Sequence, residues 1–199
     1  MEAIEPVIRV AEESDAAAIA TLYAPYVRNT AISFEVEPPT TDVMAQRIAS
    51  TLETHPWLVA ECCDEVLGYS YAGKHRERPA YRWTVDTTVY IDSAAQHKGL
   101  GRALYRVLLD VLRQQGFRSA FAEIVMPNAA SVRLHETAGF KLIGVHKDIG
   151  FKLGRWHDIG YWRVALAETD VMPSEPVPFR IFRKTPTFAV AVGLSAVPD

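Results

Sequence analysis

The sequence has few extremes, and its absences narrow the field first. Only two cysteines occur in 199 residues, and Cys62 and Cys63 are neighbours. Adjacent side chains of a strand point to opposite faces, so this pair is badly placed for a disulfide and too small for a zinc site. Buried thiols would suit a reducing compartment, and a cytoplasmic protein is expected. No apolar run approaches the roughly 18 residues that cross a bilayer, so no membrane partner is expected. The opening Met1-Glu2-Ala3-Ile4-Glu5-Pro6 lacks the basic-then-apolar pattern of a secretory leader. Neither sign of charge dominates. A formal net charge of −3 argues against nucleic acid as the main partner. What remains is an ordinary globular composition, 49% hydrophobic and 23% charged, at a length suited to one domain.

Strand-like and helix-like segments alternate through residue 167. Val7–Ala11 reads as a strand. Ser14-Asp15 offers a cap for a helix carrying Ile19, Leu22, Tyr23, Tyr26 and Val27, which Pro25 should kink or shorten. Thr40-Thr41-Asp42 caps a second helix with Met44, Ile48 and Leu52. Trp57–Cys63 and Val66–Ala72 form a plausible hairpin. Lys74–Arg82 is a basic loop. In the strand Trp83–Asp92, Val85, Thr87, Val89 and Ile91 share one face, and Thr84, Asp86, Thr88 and Tyr90 the other. The clearest helix is Leu100–Gln115, with Leu100, Ala103, Leu104, Val107, Leu108, Val111 and Leu112 on one stripe and Gly116 as C-cap. Ser119–Met126 is a strand, Asn128 caps a short helix, and Phe140–Asp148 and Ile159–Leu166 close the sheet around a loop or tight hairpin. Residues 168–199 are punctuated by Pro173, Pro176, Pro178, Pro186 and Pro198 and read as an extended tail. Its Phe179, Ile181, Phe182, Phe188, Val190 and Val192 are apolar enough to dock on this subunit or a second copy.

The segment richest in chemistry is Gln96-His97-Lys98-Gly99-Leu100-Gly101-Arg102-Ala103, where a loop enters the strongest helix. Glycines let the backbone approach a ligand, and the free N–H groups of a first helical turn favour an anion such as a diphosphate. Lys98 and Arg102 add positive charge. No Ser or Thr follows as in a Walker loop, and Leu104 stands where a dinucleotide fingerprint needs a third glycine.

The pattern of Gln96, Gly99 and Gly101 resembles the acetyl-CoA loop of the GNAT superfamily of N-acetyltransferases. Three further stretches resemble its phosphinothricin acetyltransferase branch: Tyr81–Ile91, Pro127–Phe140 and Gly154–Gly160. The resemblance covers residues 7–166. It implies an α/β GNAT fold, with a mixed, mostly antiparallel sheet flanked by about four helices and two central strands that splay. It implies acetyl-CoA as co-substrate, with Val89, Tyr90 and Ile91 along the pantetheine arm. His97, Lys98, Gly99, Leu100, Gly101 and Arg102 would lie around the diphosphate, with Asn128 as a further cofactor contact or a plain helix cap. The family base, usually a glutamate, falls on Asp86, one methylene shorter; the alternative is a carboxylate paired with Arg82 or Arg78. His135 takes an acid–base position or is a helix histidine bonded to a carbonyl. Phe34, Arg78 and Tyr81 match substrate-pocket positions, although Arg78 could equally be a solvated loop charge. No metal is implied, because no second histidine follows His135 and Glu136 at helical spacing. The expected reaction is direct acetylation of a small amino acid in a ternary complex, by a homodimer. A different amine acceptor and an inactive acyl-CoA-binding module remain alternatives.

Overall fold

The apolar stripe from Leu100 to Leu112 folds as a helix whose ends are both set by glycine. In the computed structural model, which describes residues 6–168 and 172–191, Gly99 (φ +82°) and Gly116 (φ +98°) take left-handed conformations on either side of Leu100–Gln115. That region costs a residue with a Cβ about 1–2 kcal/mol, so glycine is the natural boundary. Residues 1–5, 169–171 and 192–199 lie outside the described residues, and with them the opening stretch read as lacking a leader and Val192 and Pro198 of the expected tail.

Seven strands form one sheet: β1 (Val7–Val10), β2 (Trp57–Cys62), β3 (Glu65–Lys74), β4 (Thr84–Ile91), β5 (Ser119–Met126), β6 (Lys141–Lys152) and β7 (Arg155–Ala165). Their order is β1-β2-β3-β4-β5-β7-β6. Only β4 and β5 pair in parallel. The helices are α1 (Ala16–Asn29), α2 (Thr41–Leu52), α3 (Leu100–Gln115), α4 (Ala129–Thr137), and two short tail helices, α5 (Phe179–Phe182) and α6 (Pro186–Ala191). One core joins α3 to the sheet and includes Leu104, Leu108, Val111 and Leu112, all fully buried. The other joins α1 and α2 to the sheet through Ile19, Val27, Ile48, Val59 and Tyr69. The two faces of β4 assigned from alternation feed these two cores: Val85 belongs to the first and Tyr90 packs on the second.

Several local expectations change. α1 runs through Pro25 to Asn29; proline there forfeits one backbone bond, which the packed face of the helix outweighs. Asp15 does not cap α1 with its side chain. It accepts two 2.8 Å bonds from Arg9 and one from the Glu12 N–H. The sulfurs of Cys62 and Cys63 stand 3.8 Å apart, and neither residue is buried. The β6–β7 hairpin is longer than expected because Leu153 (φ +51°) and Gly154 (φ +77°) close it in a two-residue turn. The tail is extended only over 172–178. Beyond that it makes two helical turns that bury Phe179, Phe182 and Phe188 in the α3 core. It is sewn down by Val177 N–H to Gln115 O (2.8 Å) and Phe179 N–H to Thr54 O (3.1 Å). Among the described residues no helix is long and apolar enough to cross a membrane.

Candidate active site

The site begins where β4 and β5 part. They pair only at Thr84↔Ser119, Val85↔Ala120 and Asp86↔Phe121. The Thr87 hydroxyl donates to Phe121 O at 2.9 Å and marks the fork. Beyond it, Thr87–Ile91 and Ala122–Met126 have no strand between them. The Asp92 N–H bonds to Leu67 O on β3, while Trp83 O accepts from Arg118 N–H on the β5 side. Period-two alternation therefore turns the backbone groups of Thr87, Val89 and Ile91 toward the gap. Tyr26 occupies one of them, its hydroxyl donating to Ile91 O at 2.5 Å. The Val89 edge has no such partner among the described residues.

The gap leads to the loop before α3. Gly99 has nothing within 4 Å of the place a Cβ would take. The first amide of the helix with a backbone acceptor is Ala103, bonded to Gly99 O at 3.0 Å. The N–H groups of Gly99, Leu100, Gly101 and Arg102 have none among the described residues. His97, Lys98, Gly99 and Arg102 are exposed, and His97 is left-handed (φ +62°). This is an open nest of donors, which fits a diphosphate. Leu100 is buried and anchors the turn. Gly101 serves packing: a Cβ there would meet Leu134 of α4 at 3.0 Å. Gln96 ties the loop to α1, donating to the Tyr26 hydroxyl at 2.9 Å. Asn128 caps α4, its Oδ1 accepting from Ser131 N–H at 3.1 Å. A groove of about 920 Å³ opens beside this loop, lined in part by Tyr26, Gln96 and Lys98; Asp86 is not among its lining residues.

Asp86 is half-exposed on the α1–α2 face of the sheet. Its partner is neither Arg82 nor Arg78 but His75, whose Nδ1 lies 2.6 Å from Asp86 Oδ1. Burial pushes the Asp86 carboxyl above its ordinary value, and the bond from His75 works against that shift. The His75 ring stacks on Phe121 (centroids 4.6 Å apart, planes at 21°) and meets the Tyr81 ring edge-on at 6.0 Å. Sequence reasoning passed over His75. The signal was the β3–β4 register, in which Gly73 faces Asp86. His75 follows two residues later, just past the end of β3. Arg76 and Glu123 also join the site: burial and the Asp86 charge raise the Glu123 carboxyl, and Arg76 lowers it.

The other expected residues scatter. Tyr81 stands beside His75. Arg78 is exposed, and its backbone begins the turn that carries Tyr81. The loop is less basic than its composition implies, because Lys74 pairs with Glu77 (2.6 Å) and Arg82 with Glu175 of the tail (2.7 Å). Phe34 lies against the β6–β7 hairpin, where a Cβ on Gly150 would collide with its ring, and its ring centre is 6.2 Å from that of His157. His135 is the buried residue of α4. Its Nδ1 donates to Ser131 O (2.7 Å), so its Nε2 accepts from the Tyr105 hydroxyl (2.7 Å). Both nitrogens are spent inside the protein, and burial lowers its pKa. That geometry matches the helix histidine bonded to a carbonyl rather than an open acid–base group.

Comparison with known proteins agrees with the fold. The model of the Acetyltransferase (GNAT) domain matches residues 8–160. The phosphinothricin N-acetyltransferase of Streptomyces viridochromogenes is 39% identical over 87% of this chain and 92% of its own. The L-methionine sulfoximine/L-methionine sulfone acetyltransferase of Salmonella typhimurium is 38% identical over 81% and 95%. A crystal structure of a GNAT superfamily phosphinothricin acetyltransferase from Sinorhizobium meliloti, in complex with AcCoA, superposes with a TM-score of 0.83. It is 34% identical and covers 91% of this chain and 100% of that one.

Proposed function

The chain belongs to the acetyltransferase (GNAT) family, and from that membership we propose a specific reaction: transfer of acetyl from acetyl-CoA to the α-amino group of a small amino acid of the phosphinothricin or methionine sulfoximine type. The observation that carries this reading is the fork at Asp86, an unpaired strand edge running from the open amides before α3 to a half-exposed carboxylate. The relatives' names supply the substrate class.

Each part of the chain has a task. The N–H groups of Gly99, Leu100, Gly101 and Arg102 hold the diphosphate, with Lys98 and Arg102 adding charge. The Val89 backbone pairs with the amide-bearing arm as an added strand would, and its N–H is placed to stabilise the oxyanion. Acetyl-CoA supplies the activated thioester. An ammonium has no free lone pair, so the acceptor must lose a proton before it attacks; the His75–Asp86 pair lies on the acceptor face for that purpose. Tyr81 walls this end of the pocket, and Arg76 and Arg78 offer forks for an acceptor's acidic groups.

We also propose a cytoplasmic homodimer. β6 is an edge strand, and the β6–β7 hairpin exposes Leu142, Ile143, Phe151, Leu153 and Trp156. Exposed apolar edges of this kind are rarely left uncovered.

The test is thiol release from acetyl-CoA across an amine panel. Turnover with phosphinothricin or methionine sulfoximine, at least tenfold above that with a polyamine or an aminoglycoside, is expected. The reverse order transfers the reading to another acceptor. Tight acetyl-CoA binding without turnover on any amine makes the chain a binding module.

A further inference from the structure

We infer that His75 is the general base of this reaction and that Asp86 is the carboxylate that orients it. The inference deepens the proposed function and rests on it. Three observations meet here. First, Asp86 ends the β4–β5 pairing opposite Phe121, so its carboxylate oxygens stand at the fork. Second, a ring nitrogen of His75 lies 2.6 Å from one of those oxygens. Third, the ring is fixed in place by Phe121 below it and Tyr81 at its edge. The carboxylate accepts the Nδ1–H and so leaves Nε2 with its lone pair. Among the described residues Nε2 has no hydrogen-bond partner. That is the arrangement by which a carboxylate fixes the tautomer of a histidine base. His135 shows the opposite case, with both nitrogens consumed.

The chemistry favours the imidazole. Proton transfer is most efficient when the acceptor titrates near the working pH, which suits an imidazole better than a carboxylate. The His75 side chain is 13% exposed, so it borders the acceptor face without being freely solvated. A protonated ring would sit against a carboxylate it already touches. In the transfer, one proton leaves the ammonium for Nε2 and passes on to solvent. The freed nitrogen pair forms the C–N bond, the C–S bond breaks, and the sulfur takes the second proton shed by nitrogen. One proton is released per turnover, and no other reactant is needed.

The variant His75→Asn separates the two ways this pair could work. Asparagine can still donate an N–H to Asp86 but cannot take a proton. The expected result is a fall in kcat of about 100-fold, with acetyl-CoA affinity unchanged within twofold. Added imidazole should restore at least tenfold of the lost rate in His75→Ala. Asp86, Tyr81, Arg76, Glu123, His146 and Tyr161 also face this region, and all are intact in both variants. His75→Asn turning over within twofold of wild type, or His75→Ala gaining nothing from added imidazole, overturns the inference and makes Asp86 the direct base, which its 39% exposed side chain permits. A wild-type protein that releases no thiol with any amine overturns the base and the proposed function together, and so is distinct from that result.

Discussion

The sheet has two faces, and each holds a histidine shielded from solvent, His135 buried and His75 partly so. On the α3–α4 face, His135 is closed: Ser131 O and the Tyr105 hydroxyl satisfy both nitrogens, with Phe140 and Tyr105 packed edge-on around the ring. On the α1–α2 face, His75 is half-closed, bonded to a carboxylate at one nitrogen only. Burial alone does not separate a structural histidine from a functional one. The count of satisfied nitrogens does, because an imidazole with both positions filled can neither take nor give a proton without breaking a buried bond. The same contrast extends to the faces. One is a dry apolar core of aliphatic and aromatic side chains built on α3, whereas the other ends in titratable groups where β4 and β5 part.

The largest expected effect tests the open face. Asp86→Asn should lower kcat by about 1000-fold, about 4 kcal/mol of transition-state stabilisation, while acetyl-CoA still binds. Steady-state rates beside a calorimetric Kd check it. A loss confined to Kd would mean that Asp86 shapes the cofactor cleft rather than the chemistry.

The next effect tests the dry face. Phe179 is fully buried in the α3 core although it belongs to the tail. Phe179→Ala should cost about 3 kcal/mol or more in urea unfolding. The tail also holds the acceptor loop: Trp83 Nε1–H donates to Ser174 O (2.8 Å), and Arg82, stacked over Trp83, pairs with Glu175. A rise in acceptor KM should therefore accompany the loss of stability. Unchanged unfolding would show that the tail merely rests on the surface.

How far the sequence carried can be judged on these same two faces. α3 and β5 were readable to the residue, because a seven-member stripe between glycines and an apolar run ending at proline each have one local solution. The donor loop was readable through the glycines, whereas the open edge at Val89 was implied only by the family resemblance. His75 was not, because a single histidine after a strand carries no period; only the β3–β4 pairing, which sets Gly73 opposite Asp86, brings the residue beyond the strand end to that carboxylate. The tail's helical turns were missed for a related reason. Four to six residues are too few to show a 3.6-residue repeat, and it is the α3 core, not local propensity, that makes them helical. Phe34 could not be placed either, since its neighbour Gly150 lies more than a hundred positions away.

A smaller effect probes the closed histidine. His135→Leu should destabilise the fold by about 2 kcal/mol by orphaning a hydroxyl and a carbonyl, yet kcat per folded molecule should stay within threefold. The pH dependence follows from the lowered pKa of His135. Below about 6.5 the unfolded chain takes up a proton that the folded one refuses, so wild-type stability falls as pH drops through that region. His55, stacked on Phe117 and pushed down to about 4 by burial, adds to the same slope over pH 6.5 to 4. His135→Leu should flatten part of it in thermal melts from pH 8 to pH 5. A kcat that collapses at full folding would return His135 to the chemistry and erase the distinction between the faces.

The smallest effect concerns the loop that both faces share. Arg102 is exposed on the first turn of α3, so its contribution to diphosphate binding is a screened surface attraction of about 1 kcal/mol. Arg102→Ala should weaken acetyl-CoA binding roughly fivefold at low salt, with kcat unchanged, and the difference from wild type should shrink as salt rises. The amides of Gly99 to Arg102 are a different kind of donor, fixed by the backbone and removable by no side-chain truncation. If Arg102→Ala abolished binding at every salt concentration, charge and not the open amides would be holding the diphosphate. The fork between β4 and β5 would then have to align the thioester unaided.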